Sequence, residues 1–179
     1  HQLLSMAGIH DVKVEFRPDY SSLPTNDYLS PGFILPYSGS RGCFWHRCSF
    51  CPERAEDNPY IPVPVTQVIT DIPELTGKTN SVLVHFLDNA MSISLMRALS
   101  ETAGGAPWYG FARITRELTD MDFCTVLKRS GCVMLKLGLE SGDQGVLDGM
   151  QKGIDIDTAS QALKTLKKAG IATYVYLLF

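Results

Sequence analysis

The sequence has no hydrophobic run long enough to cross a bilayer. Its longest uninterrupted apolar stretches are a few residues, against roughly 20 for a transmembrane helix. It has no block of basic residues either. With 16 Lys and Arg against 19 Asp and Glu, the formal net charge is −3, so charge gives no nucleic-acid footprint. The opening residues, "HQLLSMAGIHDVKVEF", lack the charged-then-apolar order of a secretory leader. No P-loop and no Gly-x-Gly-x-x-Gly pattern occurs, which leaves nucleoside triphosphates and dinucleotides unsupported. Cysteine is scarce and odd in number, five in 179 residues. A disulfide framework is therefore not expected, and a reducing, cytoplasmic setting fits.

What is present is enough apolar material, 45% of residues, for one sizeable core but not two. From residue 33 onward, short apolar runs alternate with amphipathic stretches. The runs at 33–38, 81–88, 108–114, 132–140 and 172–179 read as five strands. Helices are expected at 66–75, where Pro73 should end or kink the helix, and at 92–104, closed by Gly104 and Gly105. A third helix follows residue 114, with Thr119 as its cap, Asp120 in its first turn, and Lys128, Arg129 and Gly131 at its end. A fourth covers 156–169, with apolar positions at 159, 162, 163, 166 and 169 and Gly170 closing it.

Strands separated by helices imply an α/β fold: a partial (β/α) barrel of parallel strands with helices outside, spanning 33–179. Pro36 suits this layout if the first strand is a sheet edge. A chain ending on an uncovered apolar strand reads as a fragment truncated after its fifth strand. Residues 1–32, rich in Pro, Ser, Asp and Asn, read as a linker or an arm from a preceding domain.

In such barrels chemistry gathers at the C-terminal ends of the strands. The loop "RGCFWHRCSFCPE" (41–53), carrying Cys43, Cys48 and Cys51, follows the first strand. Asp88 and Asn89 end the second, Arg113 the third, and Glu140 with Ser141 the fourth. Cys132 starts its strand at the opposite end, and Cys124 shares a helix face with Phe123, Val126 and Leu127; both read as small core residues. Lys136 alternates with Gly138 and Glu140 and should face the barrel interior, where a lysine needs a partner. His85 reads as a hydrogen-bonded core histidine.

Three clustered thiols lack an obvious fourth. A closed zinc site takes four ligands, commonly from two CxxC-like pairs, and only Cys48–Cys51 forms such a pair. His46 is the one candidate to complete a zinc site, in a zinc-stabilised, non-catalytic interaction domain. Grouped soft thiolates also hold iron–sulfur clusters, and three cysteines on a four-iron cluster leave one iron open.

The cysteine loop, together with "GLESGDQGVLDGMQKG" (138–153), resembles the radical S-adenosylmethionine (SAM) superfamily. The first stretch is similar to the superfamily's cluster loop and the second to its fourth-strand signature. One departure is visible: four residues separate Cys43 from Cys48, where the commonest spacing has three. The stretch "SLPTNDYLSPGFILPYSGSRGC" (22–43) is similar to the lead-in of members that carry an upstream cobalamin-binding domain.

The resemblance implies a 4Fe–4S cluster on Cys43, Cys48 and Cys51, with SAM chelated to the open iron. An electron from a donor such as a flavodoxin or ferredoxin would cleave SAM to a 5′-deoxyadenosyl radical, which takes hydrogen from an unknown substrate. It further implies that Phe50 packs by the adenine, that Asp88 and Asn89 meet the amino group, and that Arg113 pairs with the carboxylate. Glu140 and Ser141 would contact SAM polar groups. Whether cobalamin takes part is left open by the resemblance; where it does, its place is a missing domain.

Overall fold

The computed structural model describes residues 17–102 and 106–178. In chain order the elements are β1 (Ile34–Tyr37), β2 (Ser40–Arg41), α1 (Pro52–Ala55), β3 (Ile61–Pro62) and α2 (Val65–Thr79). These are followed by β4 (Leu83–Met91), α3 (Ile93–Glu101), β5 (Trp108–Ala112), α4 (Met121–Arg129) and β6 (Cys132–Glu140). The last three are α5 (Gln144–Gly149), α6 (Ile156–Lys168) and β7 (Ala172–Leu177). Five strands form one sheet in the order β1-β4-β5-β6-β7, and every pairing is parallel. This is the expected α/β arrangement, a run of β/α units with helices packed on one side of the sheet.

Alternation explains the packing. Along β5, Trp108, Gly110 and Ala112 are buried while Tyr109 and Phe111 are half-open; β4 repeats the pattern at Val84 and Phe86. The buried set packs against Val68 and Ile72 of α2, Leu95 and Leu99 of α3, Leu127 of α4 and Leu166 of α6. Each such side chain contributes about 1.5–3 kcal/mol by leaving water. Gly110 lets the layers close, since a Cβ there would stand 2.5 Å from Met91 Sδ.

Carboxylate and hydroxyl caps start α3, α4, α5 and α6. Ser92 accepts from Leu95 N–H at 3.1 Å, and Asp155 from Thr158 N–H at 2.8 Å. At α4 the cap is Asp120, not Thr119: Asp120 Oδ1 accepts from Asp122 N–H at 2.8 Å, while the Thr119 hydroxyl donates back to the Arg116 carbonyl. A 3-10 turn over Arg116–Thr119 occupies Thr119 and moves the helix start one residue on. Gly104 and Gly105 lie outside the described residues; Thr102 caps the described end of α3.

Helix α2 runs through Pro73 to Thr79 and closes on Asn80, which is left-handed at φ 48°. Buried Val68, Asp71 and Ile72 hold the helix where one backbone hydrogen bond is missing. Strand β4 continues three residues past Asp88, so Asp88 and Asn89 lie within the strand rather than at its end. Strand β5 stops at Ala112, and Arg113 follows it.

Among the described residues β1 is a sheet edge, paired with β4 alone, and Pro36 sits opposite His85. The segment before it lies against that edge: the Tyr20 hydroxyl donates to the Pro36 carbonyl, and Arg17 Nε stands 3.8 Å from Asp71 Oδ1.

Candidate metal-cluster site

The cysteine loop leaves β1 at its C-terminal end and is fixed there by Asp88. One Asp88 oxygen accepts from Gly39 N–H at 2.9 Å and the other from the Ser40 hydroxyl at 2.5 Å. Burial pushes the Asp88 carboxyl above the usual carboxylate range, against the pull of these two hydrogen bonds. Asp88 and Asn89 therefore differ: the first faces the loop's root, and the second projects from the other side of β4. Asn89 Nδ2 donates to Glu53 Oε1 at 2.8 Å, reaching the helix that follows Cys51.

Within the loop, β2 pairs antiparallel with β3 and closes the excursion. Gly42, at φ 70°, is required there, because a Cβ would stand 2.5 Å from the Pro59 carbonyl oxygen. Cys51 is the N-cap residue of α1, and its N–H donates to the Cys48 carbonyl at 3.3 Å. Cys48 is buried, Cys43 and Cys51 are half-buried, and none of the three is in a disulfide.

The loop docks on residues 149–153, after α5. Ser49 N–H donates to the Met150 carbonyl at 2.9 Å, and Trp45 Nε1 donates to the Gln151 carbonyl at 3.1 Å. Arg54 Nη1 reaches Gln151 Oε1 at 2.6 Å. Gly153, at φ 62°, allows the Trp45 ring to rest against it, in space a Cβ would fill. Against that ring also lies the Arg113 guanidinium, 3.9 Å from the centroid, which donates to the Lys152 carbonyl as well.

Arg113 is buried, with no carboxylate within 4.0 Å among the described residues. Burial pulls its guanidinium down from its ordinary value, while the neighbouring Cys48 and Cys43 sulfurs push it back up. Reciprocally, burial pushes the Cys48 thiol up, and Lys152 and Arg113 oppose that. Two cations thus stand near the buried thiol.

Glu140 ends β6 in a left-handed conformation, φ 72°, just past a register shift against β7. Its Oε1 accepts from Lys152 Nζ at 2.8 Å, and both side chains are buried. Lys152 is thus the partner that a carboxylate closing an apolar run demands. Gly138 makes room for the pair, since a Cβ there would meet Glu140 Oε1 at 2.6 Å and Lys152 Nζ at 3.0 Å. The Lys152 ammonium also lies 5.6 Å from the exposed Phe50 ring. Ser141 Oγ accepts from Asp143 N–H at 3.1 Å.

Sequence reasoning gave no role to Trp45, Lys152 and Gly153, although all three lie inside the two motifs. Their signal is the unusual pairing of a loop Trp with a distant Lys-Gly. Cys124 and Cys132 sit apart from the loop, where burial pushes their thiols to about 11 and about 12.

His46 turns toward Asp57, 4.0 Å away. Among the described residues, no three His, Cys, Asp or Glu groups converge as one metal ion requires. A zinc ion draws its sulfurs to about 2.3 Å from a single point, whereas a multi-iron cluster takes each thiolate on a separate iron. Three thiols free of disulfides that do not meet at one point suit ligation on separate irons better than a single zinc ion.

The sequence pattern of the Radical SAM superfamily matches residues 37–179. The chain belongs to that superfamily. A curated relative, an uncharacterized methyltransferase of Pyrococcus horikoshii, is 25% identical over 164 residues, which are 86% of this chain and 35% of the relative. Among solved structures, the radical SAM methyltransferase TsrM from Kitasatospora setae, with cobalamin and a 4Fe–4S cluster bound, superposes with TM-score 0.68 at 19% identity. That match covers 83% of this chain and 31% of TsrM. The cobalamin-dependent SAM radical enzyme OxsB, with aqua-cobalamin bound, gives TM-score 0.65 at 19% identity, over 80% of this chain and 23% of OxsB. The chain therefore spans about a third or less of the length of these relatives, and the radical SAM partial-barrel fold is what it shares with the solved structures.

Proposed function

We propose that this chain is the SAM-cleaving core of a radical enzyme. Cys43, Cys48 and Cys51 would hold a 4Fe–4S cluster, which when bound would supply the electron for reductive cleavage of SAM to a 5′-deoxyadenosyl radical. The observation that carries this is the buried Cys48 thiol beside Arg113 and Lys152, on a loop with three thiols and no disulfide.

Arg113 and Lys152 offset the negative charge that three thiolates bring into a buried place. Arg113 keeps donors beyond the one on the Lys152 carbonyl, and its planar fork suits the SAM carboxylate. Asn89, Glu140 and Ser141 offer polar atoms to the methionyl amino group and the ribose, and Phe50 offers its exposed ring to the adenine. Asp88 acts through Gly39 and Ser40 as a positioning residue for the loop. The electron donor is a small redox protein such as a flavodoxin or ferredoxin. The cobalamin bound to TsrM and OxsB supports a cobalamin domain working with residues 33–179, and the methyltransferase name of the Pyrococcus relative supports methyl transfer as the outcome. Among the described residues no helix is long and apolar enough to cross a membrane.

The test is anaerobic reconstitution with iron and sulfide, then 5′-deoxyadenosine release from SAM on adding dithionite. Formation is expected for the native sequence and is abolished in Cys48→Ala. Stoichiometric zinc with no labile sulfide would sink the reading.

A further inference from the structure

The helix-free face of the sheet carries side chains that take no part in holding the cysteine loop. His85 of β4 and Tyr109 of β5 are register partners, and their rings stack at 9° with centroids 4.3 Å apart. From β6, Lys136 sets its ammonium 3.3 Å from His85 Nε2 and 5.0 Å from the Tyr109 ring centroid. Phe111 and Tyr174 flank Lys136 in register. Tyr176 extends the surface, 5.5 Å from Phe111 and 5.0 Å from Tyr174. The patch also reaches the rim: the position a Cβ would take on Gly138 is 3.0 Å from both Phe111 Cζ and Lys152 Nζ.

The charge on this face is unbalanced. Among the described residues no carboxylate stands within 4.0 Å of Lys136. Aromatic faces and a ring nitrogen replace only part of the hydration a half-buried ammonium gives up. Burial, and then the Lys136 charge, hold the His85 imidazole below its ordinary value. The neutral ring takes the ammonium's hydrogen bond at Nε2 and keeps a donor at Nδ1. Tyr174 and Tyr176 carry the aromatic surface on to β7 beside it.

We propose that this face recognises the substrate, and that the substrate is a flat, unsaturated monocarboxylate. Its carboxylate sits on Lys136 and its plane against the rings of Tyr109, Phe111 and Tyr176. One ammonium beside a neutral imidazole matches one negative charge; a phosphate dianion would bring in a second with no partner. Aromatic surface beside the ammonium favours a planar π-system over a saturated chain. The proposal rests on the radical SAM reading for its substrate role, but its test needs only binding.

The test is a fluorine NMR titration of 4-fluorobenzoate into the anaerobically reconstituted protein, without reductant. Saturable binding at one site is expected. Lys136→Met should weaken it at least about tenfold, the loss expected for one charge-assisted hydrogen bond, while Lys136→Arg retains it. Acetate should compete at least about tenfold more weakly than benzoate, and inorganic phosphate should not compete. Tyr176→Leu should also weaken binding, and it serves if Lys136→Met does not fold. No binding to the native protein overturns the proposal. So does native-strength binding in a Lys136→Met protein of native iron content, or displacement by phosphate. None of these results bears on 5′-deoxyadenosine formation, which tests the SAM chemistry separately.

Discussion

Single thiols in this chain have different chemistry because their surroundings differ. Cys124 and Cys132 are buried, with thiols pushed up to about 11 and about 12, so both remain protonated and inert at pH 8. In the cluster-free protein, iodoacetamide at pH 8 should label the half-buried Cys43 and Cys51 and spare Cys124 and Cys132, as read by peptide mass spectrometry. Charge is similarly local. Removing one partner of the buried Glu140–Lys152 pair leaves the other charge uncompensated, which typically costs about 3–5 kcal/mol. Lys152→Met should therefore lower the urea midpoint sharply with an unchanged slope. The double change Glu140→Leu with Lys152→Met should recover most of that loss. Equal midpoints for the native protein and Lys152→Met would show that the pair holds nothing in place.

At the scale of elements, the central contact is between the cysteine loop and residues 149–153. Gly153→Ala forces a Cβ into the Trp45 ring at a left-handed backbone position, where a side chain costs about 1–2 kcal/mol. The predicted effect is a drop in iron and sulfide bound after reconstitution, larger than the drop in thermal midpoint accounts for. Native loading would mean that the Trp45 contact does not organise the loop.

The same scale shows what was legible in the sequence. The five strands follow from apolar alternation, which burial enforces directly. The five-stranded order and the rim of Arg113 and Glu140 follow from the β/α repeat. Less visible were contacts between distant stretches. Lys152 has no role until the fold brings it 2.8 Å from Glu140, and Asp88 reads as a rim residue until Gly39 and Ser40 take both its oxygens. Pro73 shows the opposite: local propensity argued for an end or a kink, and α2 does not end there but continues on its buried face to Thr79.

For the molecule as a whole, the sheet separates two tasks. One face supplies the core through the helices, and the other presents His85, Tyr109, Phe111, Lys136 and two further tyrosines. The cysteine loop stands at the rim where β6 delivers Glu140. The placement follows the rule that βα loops gather function at one end of parallel strands. The claim underlying all of this is an iron of the cluster left open for SAM to bind. Electron paramagnetic resonance of the reduced, reconstituted protein tests it most directly. Adding SAM should shift the cluster's g-values, because a ligand enters at the open iron. A spectrum unchanged at saturating SAM would contradict the account.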